Sequence, residues 1–124
     1  MRSMRIPVAG LLAAGLLGAA PAPAAGADGE RLFKFYCAQC HGLEGRGDGP
    51  NVTETFPVEP RNFTNAKEMN KLTDADIRNV VREGGPVASK SPMMPPWGKT
   101  LSEAEIEALV KHLRKLCQCP GKPG

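Results

Sequence analysis

Cys37-Ala38-Gln39-Cys40-His41 constrains this chain more than any other stretch. Two thiols three residues apart, with an imidazole directly after the second, form the Cys-x-x-Cys-His signature of covalent haem attachment. On a helical turn each thiol reaches one vinyl group of a porphyrin. The next side chain, His41, then lies beneath the iron with an imidazole nitrogen to bind it. Two other chemistries use the same thiols. A thioredoxin-like redox pair expects a βαβ setting, and the sequence after residue 27 has no strand-like alternation. A four-cysteine zinc site with Cys117 and Cys119 satisfies the ligand count, but leaves His41 and the Met-Pro loop that follows Met93 without a role.

The chain around that motif is short and heavily punctuated. With 124 residues it makes one domain, and its 14 Gly and 12 Pro put much of that domain in turns and loops. A core of side chains alone is thin for so much loop, and a bound cofactor would supply apolar volume. The formal net charge is +3, of which Arg2 and Arg5 lie at the extreme N-terminus. So small a charge, with 5% aromatics, gives no footing for a nucleic-acid partner or an anionic membrane.

Residues 1–27 read as a secretory leader: Arg2 and Arg5, then an uncharged run over 6–20, then the small-residue stretch Ala22-Pro23-Ala24-Ala25-Gly26-Ala27. Cleavage is expected before Asp28. The alternative is an uncleaved anchor, but the apolar run falls short of the ~20 residues that span a bilayer. Export points to the periplasm, where free thiols seldom persist.

Beyond the leader the pattern is helical. A first helix is expected over 29–40, with Leu32, Phe33 and Tyr36 on one side, and an ordered loop over 42–65. A short turn follows near 66–69. Thr73 caps a helix whose stripe is Ile77, Val80 and Val81, and which stops at Gly84-Gly85-Pro86. A second loop covers 86–100. Ser102 and Glu105 form a capping box for the last helix, where Ile106, Leu109, Val110, Leu113 and Leu116 give the strongest helical period in the sequence. The class is all-α, with three to four helices and long loops wrapped around one covalently attached haem.

A sixth iron ligand is expected from Met94. Pro95-Pro96 stiffens the backbone after it and biases it toward an extended conformation, which holds the thioether outward from a loop. Met93 packs beside it or faces solvent, and Met69 reads as filler of the haem pocket or core. His112 shares the helical neighbourhood of Leu109 and Leu116 and reads as a half-buried packing residue. Cys117-Gln118-Cys119-Pro120 ends the chain on a flexible Gly/Pro segment, 117–124. Its thiols pair either with each other, across a small ring, or with another chain, and the tail is expected to be dispensable for haem ligation.

These residues resemble the class I monohaem cytochromes c. The specific pieces are Cys37-Ala38-Gln39-Cys40-His41-Gly42, Gly49-Pro50-Asn51, Met94-Pro95-Pro96-Trp97-Gly98 and the helix start at Leu101-Ser102-Glu103-Ala104-Glu105-Ile106. The resemblance implies the cytochrome c fold over 28–116 and a crossing of first and last helices at Gly29, Phe33, Leu109 and His112, the last replacing a usual aromatic. It also implies that the Pro50 carbonyl accepts from the proximal histidine, which fixes the ring and raises its donor strength. In Pro60-Arg61-Asn62-Phe63-Thr64, Arg61 joins the Trp97 indole N–H as a donor to the haem propionates, or else remains a solvated charge while Trp97 simply packs. The expected function is periplasmic transfer of single electrons from a donor dehydrogenase or quinol-oxidising complex to an acceptor oxidase or reductase. Its rivals are a tightly bound haem subunit of a larger oxidoreductase complex and a ligand-binding sensor or peroxidase-like enzyme.

Overall fold

The structure, a computed structural model, describes residues 26–124. The leader expectation therefore falls, except for its last two residues, outside the described residues. Among the described residues five α-helices carry the fold: α1 (Gly29–Tyr36), α2 (Ala38–His41), α3 (Ala66–Met69), α4 (Asp74–Glu83) and α5 (Glu103–Cys117), with a single 3₁₀ turn at Gly85–Ala88. The described residues contain no strand, and none of their helices is long and apolar enough to cross a membrane.

Local chemistry starts each long helix. The Asp28 carboxylate accepts from the Glu30 and Arg31 N–H groups, both at 3.1 Å, at the head of α1. Thr73 and Ser102 open α4 and α5 with reciprocal capping boxes, closed by Asp76 and Glu105. Each pair satisfies two donors that a helix start leaves unbonded. The box at Asp76 adds to the plain Thr73 cap expected from the sequence.

The expected single helix over 29–40 is divided. Cys37, its φ stretched to −115° (ψ −32°) within the right-handed helical region, separates α1 from α2, although its N–H still donates to the Phe33 carbonyl at 2.9 Å. The chain after Gly84 also differs from expectation, since Gly85–Ala88 forms the 3₁₀ turn where a plain loop was read.

The core lies where α1 and α4 meet α5. Ile106 and Met69 are wholly buried and Phe33 and Leu109 are 1% exposed, with Ile77, Val81, Val110 and Leu113 around them. Met69 is thus core filler. Gly29 lets α1 approach α5 closely: a Cβ there would run into the Ala108 carbonyl oxygen. Phe33 packs on the His112 ring at 5.1 Å, so the expected crossing forms with histidine in the aromatic's place. His112 Nε2 is buried without a hydrogen-bond partner, and burial pushes the imidazole below its ordinary value. Arg78–Glu107 and Arg82–Glu103 ion pairs tie α4 to α5 at partly exposed sites, where solvent screens them.

The segment after α5 is not a loose end. Cys117 and Cys119 are joined in a disulfide and both are buried in the core cluster. The Gly121 N–H donates to Asn70 Oδ1 at 3.1 Å and the Lys122 N–H to the Leu72 carbonyl at 2.9 Å. The expectation of a flexible tail was wrong because these acceptors lie some fifty residues earlier in sequence, where no local pattern announces them.

Candidate functional site

The site grows from the end of α2. Its last carbonyls, which a helix end leaves unpaired, are taken one by one by the returning loop: the Asn51 N–H donates to Gln39 at 2.9 Å, Gly49 to Cys40 at 3.1 Å and Gly47 to His41 at 2.8 Å. Glycine is required for this return. Gly42 has φ +79°, and a Cβ on it would meet the Asp48 carboxylate; a Cβ on Gly49 would meet the Gln39 carbonyl.

The same loop brings a second limb to the histidine. The Phe63 N–H donates to the Gly45 carbonyl at 2.7 Å, and Gly47 lies against the Pro60 carbonyl. Residues 60–63 therefore run beside 45–47. Two contacts on His41 follow: its Nδ1–H donates to the Arg61 carbonyl at 3.1 Å, and its ring stacks on Phe63 at 4.5 Å with planes 26° apart. Burial lowers the His41 pKa, an effect the Arg61 carbonyl partly offsets.

Pro50 does not take the role given to it. The Gly49-Pro50-Asn51 segment is occupied in covering the end of α2, and Pro50 itself is exposed, whereas the Arg61 carbonyl is delivered by the second limb. Sequence proximity suggested Pro50; the acceptor is twenty residues away from His41.

Met94 sits on a loop stitched to the end of α4. Its carbonyl accepts from the Gly85 N–H at 2.9 Å, and the Trp97 and Gly98 N–H groups donate to Val81 and Arg82, both at 3.0 Å. Met94 is half-buried, while its neighbour Met93 is 51% exposed and faces solvent. Trp97 then packs edge-on against Tyr36 at 5.2 Å, directly before Cys37. This contact brings the Met94 loop to the edge of the Cys37–His41 turn.

The side chains present fit a covalently held haem. Cys37 and Cys40 are unbridged thiols on one turn, whereas the other two cysteines are bonded to each other. That bond removes two of the four ligands of a zinc site. Burial, with a smaller contribution from Cys40, pushes the Cys37 thiol up to about 12, which keeps it neutral. His41 anchors one ring nitrogen and makes no hydrogen bond with the other. Among the described residues, neither the Arg61 guanidinium nor the Trp97 indole N–H has a protein acceptor, so both remain available to carboxylates.

An all-α fold that presents a Cys-x-x-Cys-His turn in this way defines a monohaem c-type cytochrome, with haem c attached through Cys37 and Cys40. The chain belongs to the family described as cytochrome c oxidase, cbb3-type, subunit III, whose model matches residues 24–113. It is 33% identical over 104 residues to dihydro-heme d1 dehydrogenase of Pseudomonas aeruginosa, a match covering 82% of this chain and 18% of that protein. It is 29% identical over 80 residues to cytochrome c-553 of Helicobacter pylori, covering 64% of this chain and 70% of that one. This chain thus spans less than a fifth of the first of these relatives. Among solved structures it resembles the KustC0563 c-type cytochrome (TM-score 0.57, 30% identity, 72% of this chain and 96% of that one). It also resembles a chain of the Kuenenia stuttgartiensis reducing HAO-like protein complex Kustc0457/Kustc0458 (TM-score 0.60, 30% identity, 78% and 46%).

Proposed function

We propose that this chain is an exported carrier of single electrons, working in the periplasm, in which His41 and Met94 would bind the haem iron. The haem supplies an iron centre that gains and loses one electron. His41 would donate the lone pair of Nε2, and the hydrogen bond from Nδ1 to the Arg61 carbonyl orients the ring and would strengthen that donation. Met94 would contribute a neutral thioether, which favours the ferrous state, and with both residues bound the iron would offer no position to a substrate. Arg61 and Trp97 would donate to the propionates, carboxylates that need such charge-assisted partners. The observation that carries the reading is the Trp97–Tyr36 contact, which fastens the methionine loop beside the attachment turn. Its donor is a dehydrogenase or quinol-oxidising complex, and its acceptor an oxidase or reductase.

The test is spectroscopic. Acid-acetone should fail to extract the haem. Met94→Ala should remove the methionine-to-iron charge-transfer band, lower the potential and let the reduced protein bind carbon monoxide, while Met93→Ala does none of these. The reverse pattern would reassign the ligand, and carbon monoxide binding by the unaltered protein would favour a sensor or enzyme.

A second reading, a haem subunit held within one oxidoreductase complex, draws support from two relatives: a much longer dehydrogenase and a chain of a protein complex. Stoichiometric co-purification with one partner would select it over a diffusing carrier.

A further inference from the structure

We propose that Cys117–Cys119 is a thiol–disulfide exchange site for an external dithiol, and that its state decides whether the C-terminal segment is fastened to the link between α3 and α4. The bridge spans one intervening residue, with the two Cα atoms 5.2 Å apart. Closing so small a ring removes little freedom from an unfolded chain, so its effect falls on local conformation. That intervening residue is Gln118, whose φ is +50°; apart from Ser89 it is the single non-glycine residue with positive φ among those described. A residue with a Cβ disfavours this region, and the bridge holds Gln118 there.

The turn at Gln118 aims the chain back across the protein. Beyond it, Gly121 and Lys122 donate to Asn70 and Leu72. Arg114 lies beneath: its guanidinium donates to the Met69 carbonyl at 2.9 Å, the Leu72 carbonyl at 2.8 Å and Asp74 at 2.7 Å, and Nη1 comes within 3.9 Å of Cys119 Sγ. Gly121 covers that guanidinium so closely that a Cβ would collide with it. The fastened segment is thus a roof over a half-buried cation, and the bridge is its catch.

In the exchange, a thiolate of the external dithiol attacks Cys117 Sγ, the S–S bond breaks, and Cys119 leaves as a thiolate favoured by the Arg114 charge. The second thiol of the reagent then resolves the mixed disulfide. Two electrons and two protons pass to Cys117 and Cys119, and the reagent becomes a disulfide. Both cysteines are buried, so attack follows opening of the roof: the segment shields the bridge and the bridge holds the segment.

The full-length haem-loaded protein tests this, kept ferrous with ascorbate throughout so that iron is in the same state in every sample. Dithiothreitol is added to half of the samples, thiols are counted by alkylation and mass, and amide exchange is followed at Gly121 and Lys122. After reduction those two amides should exchange at least about tenfold faster while the haem spectrum stays unchanged. Asn70→Ala, which removes an anchor on the surface, should speed reduction of the bridge by about tenfold. Cys117→Ser with Cys119→Ser should reproduce fast exchange, and adding Gln118→Gly should slow it again because glycine adopts the turn unaided. Unchanged protection after reduction, equal reduction rates with and without Asn70, or four alkylatable thiols before haem attachment in the oxidised chain would overturn the proposal. If the serine variant fails to fold, the dithiothreitol and Asn70→Ala measurements decide it.

Discussion

The helical frame and the two long loops are held by different means. In the frame, α1, α4 and α5 bury an apolar stripe in a shared core, and side-chain caps within three residues start each helix. In the loops over 42–65 and 84–102, position is set by backbone groups bonding to other backbone groups, at Gln39, Cys40, His41, Gly45, Val81 and Arg82. The frame depends on which side chains are present. The loops depend on where the main chain runs, so substitutions in the two regions should report on different properties.

The largest effect is expected at the centre of the frame. Ile106→Ala deletes a wholly buried side chain and should cost about 2–5 kcal/mol. Denaturant titration should show a lower midpoint, and the haem bands of the folded fraction should be unshifted. Altered bands would mean that frame and site are not separable.

Gly29→Ala comes next. The added methyl meets the Ala108 carbonyl, a main-chain atom that cannot swing away, and overpacking of this kind costs about 1–3 kcal/mol. Thr73→Ala and Ser102→Ala should each cost about 1 kcal/mol by removing a cap.

Acid should find the frame in two stages. His112 has its folded value depressed by burial, so at mildly acid pH the unfolded chain binds the extra proton. Its contribution is complete above the unfolded value near 6.5 and is lost as pH falls through the folded one. Asp76 and Glu105 are held low by the N–H groups of Thr73 and Ser102, and their contribution disappears at lower pH, below the ordinary values of 3.8 and 4.5. Melting temperature measured from pH 7 to 3 should therefore fall in both ranges. His112→Gln should remove the upper stage alone; if that stage survives, another group owns it.

The smallest effects are expected at two positions of the first loop. Arg61→Ala keeps the carbonyl that receives the His41 N–H, and should leave the iron bands in place while relaxing whatever the guanidinium holds. Pro50→Ala should alter neither. A Pro50 variant with a shifted histidine signature would restore the acceptor first expected from the sequence.

How much could be read in advance follows the same division. Helix starts at Thr73 and Ser102, the apolar period of α5 and the attachment turn are all short-range patterns, and the structure has them where the sequence puts them. The break at Cys37 and the 3₁₀ turn at Gly85–Ala88 carry no such pattern. Neither does the acceptor for His41, since any residue but the right one offers an identical carbonyl. The docking of the tail went unread for that reason too: half of its anchors are main-chain atoms near Asn70.

That anonymity of the carbonyl has an evolutionary side. Because the imidazole is oriented by the Arg61 main chain, the side chain at 61 can change without disturbing the orientation of His41. What must be inherited is the route of the loop, secured by Gly42, Gly47 and Gly49. Descendants of such a chain could diversify their surfaces widely while transmitting one setting of the His41 ring unchanged.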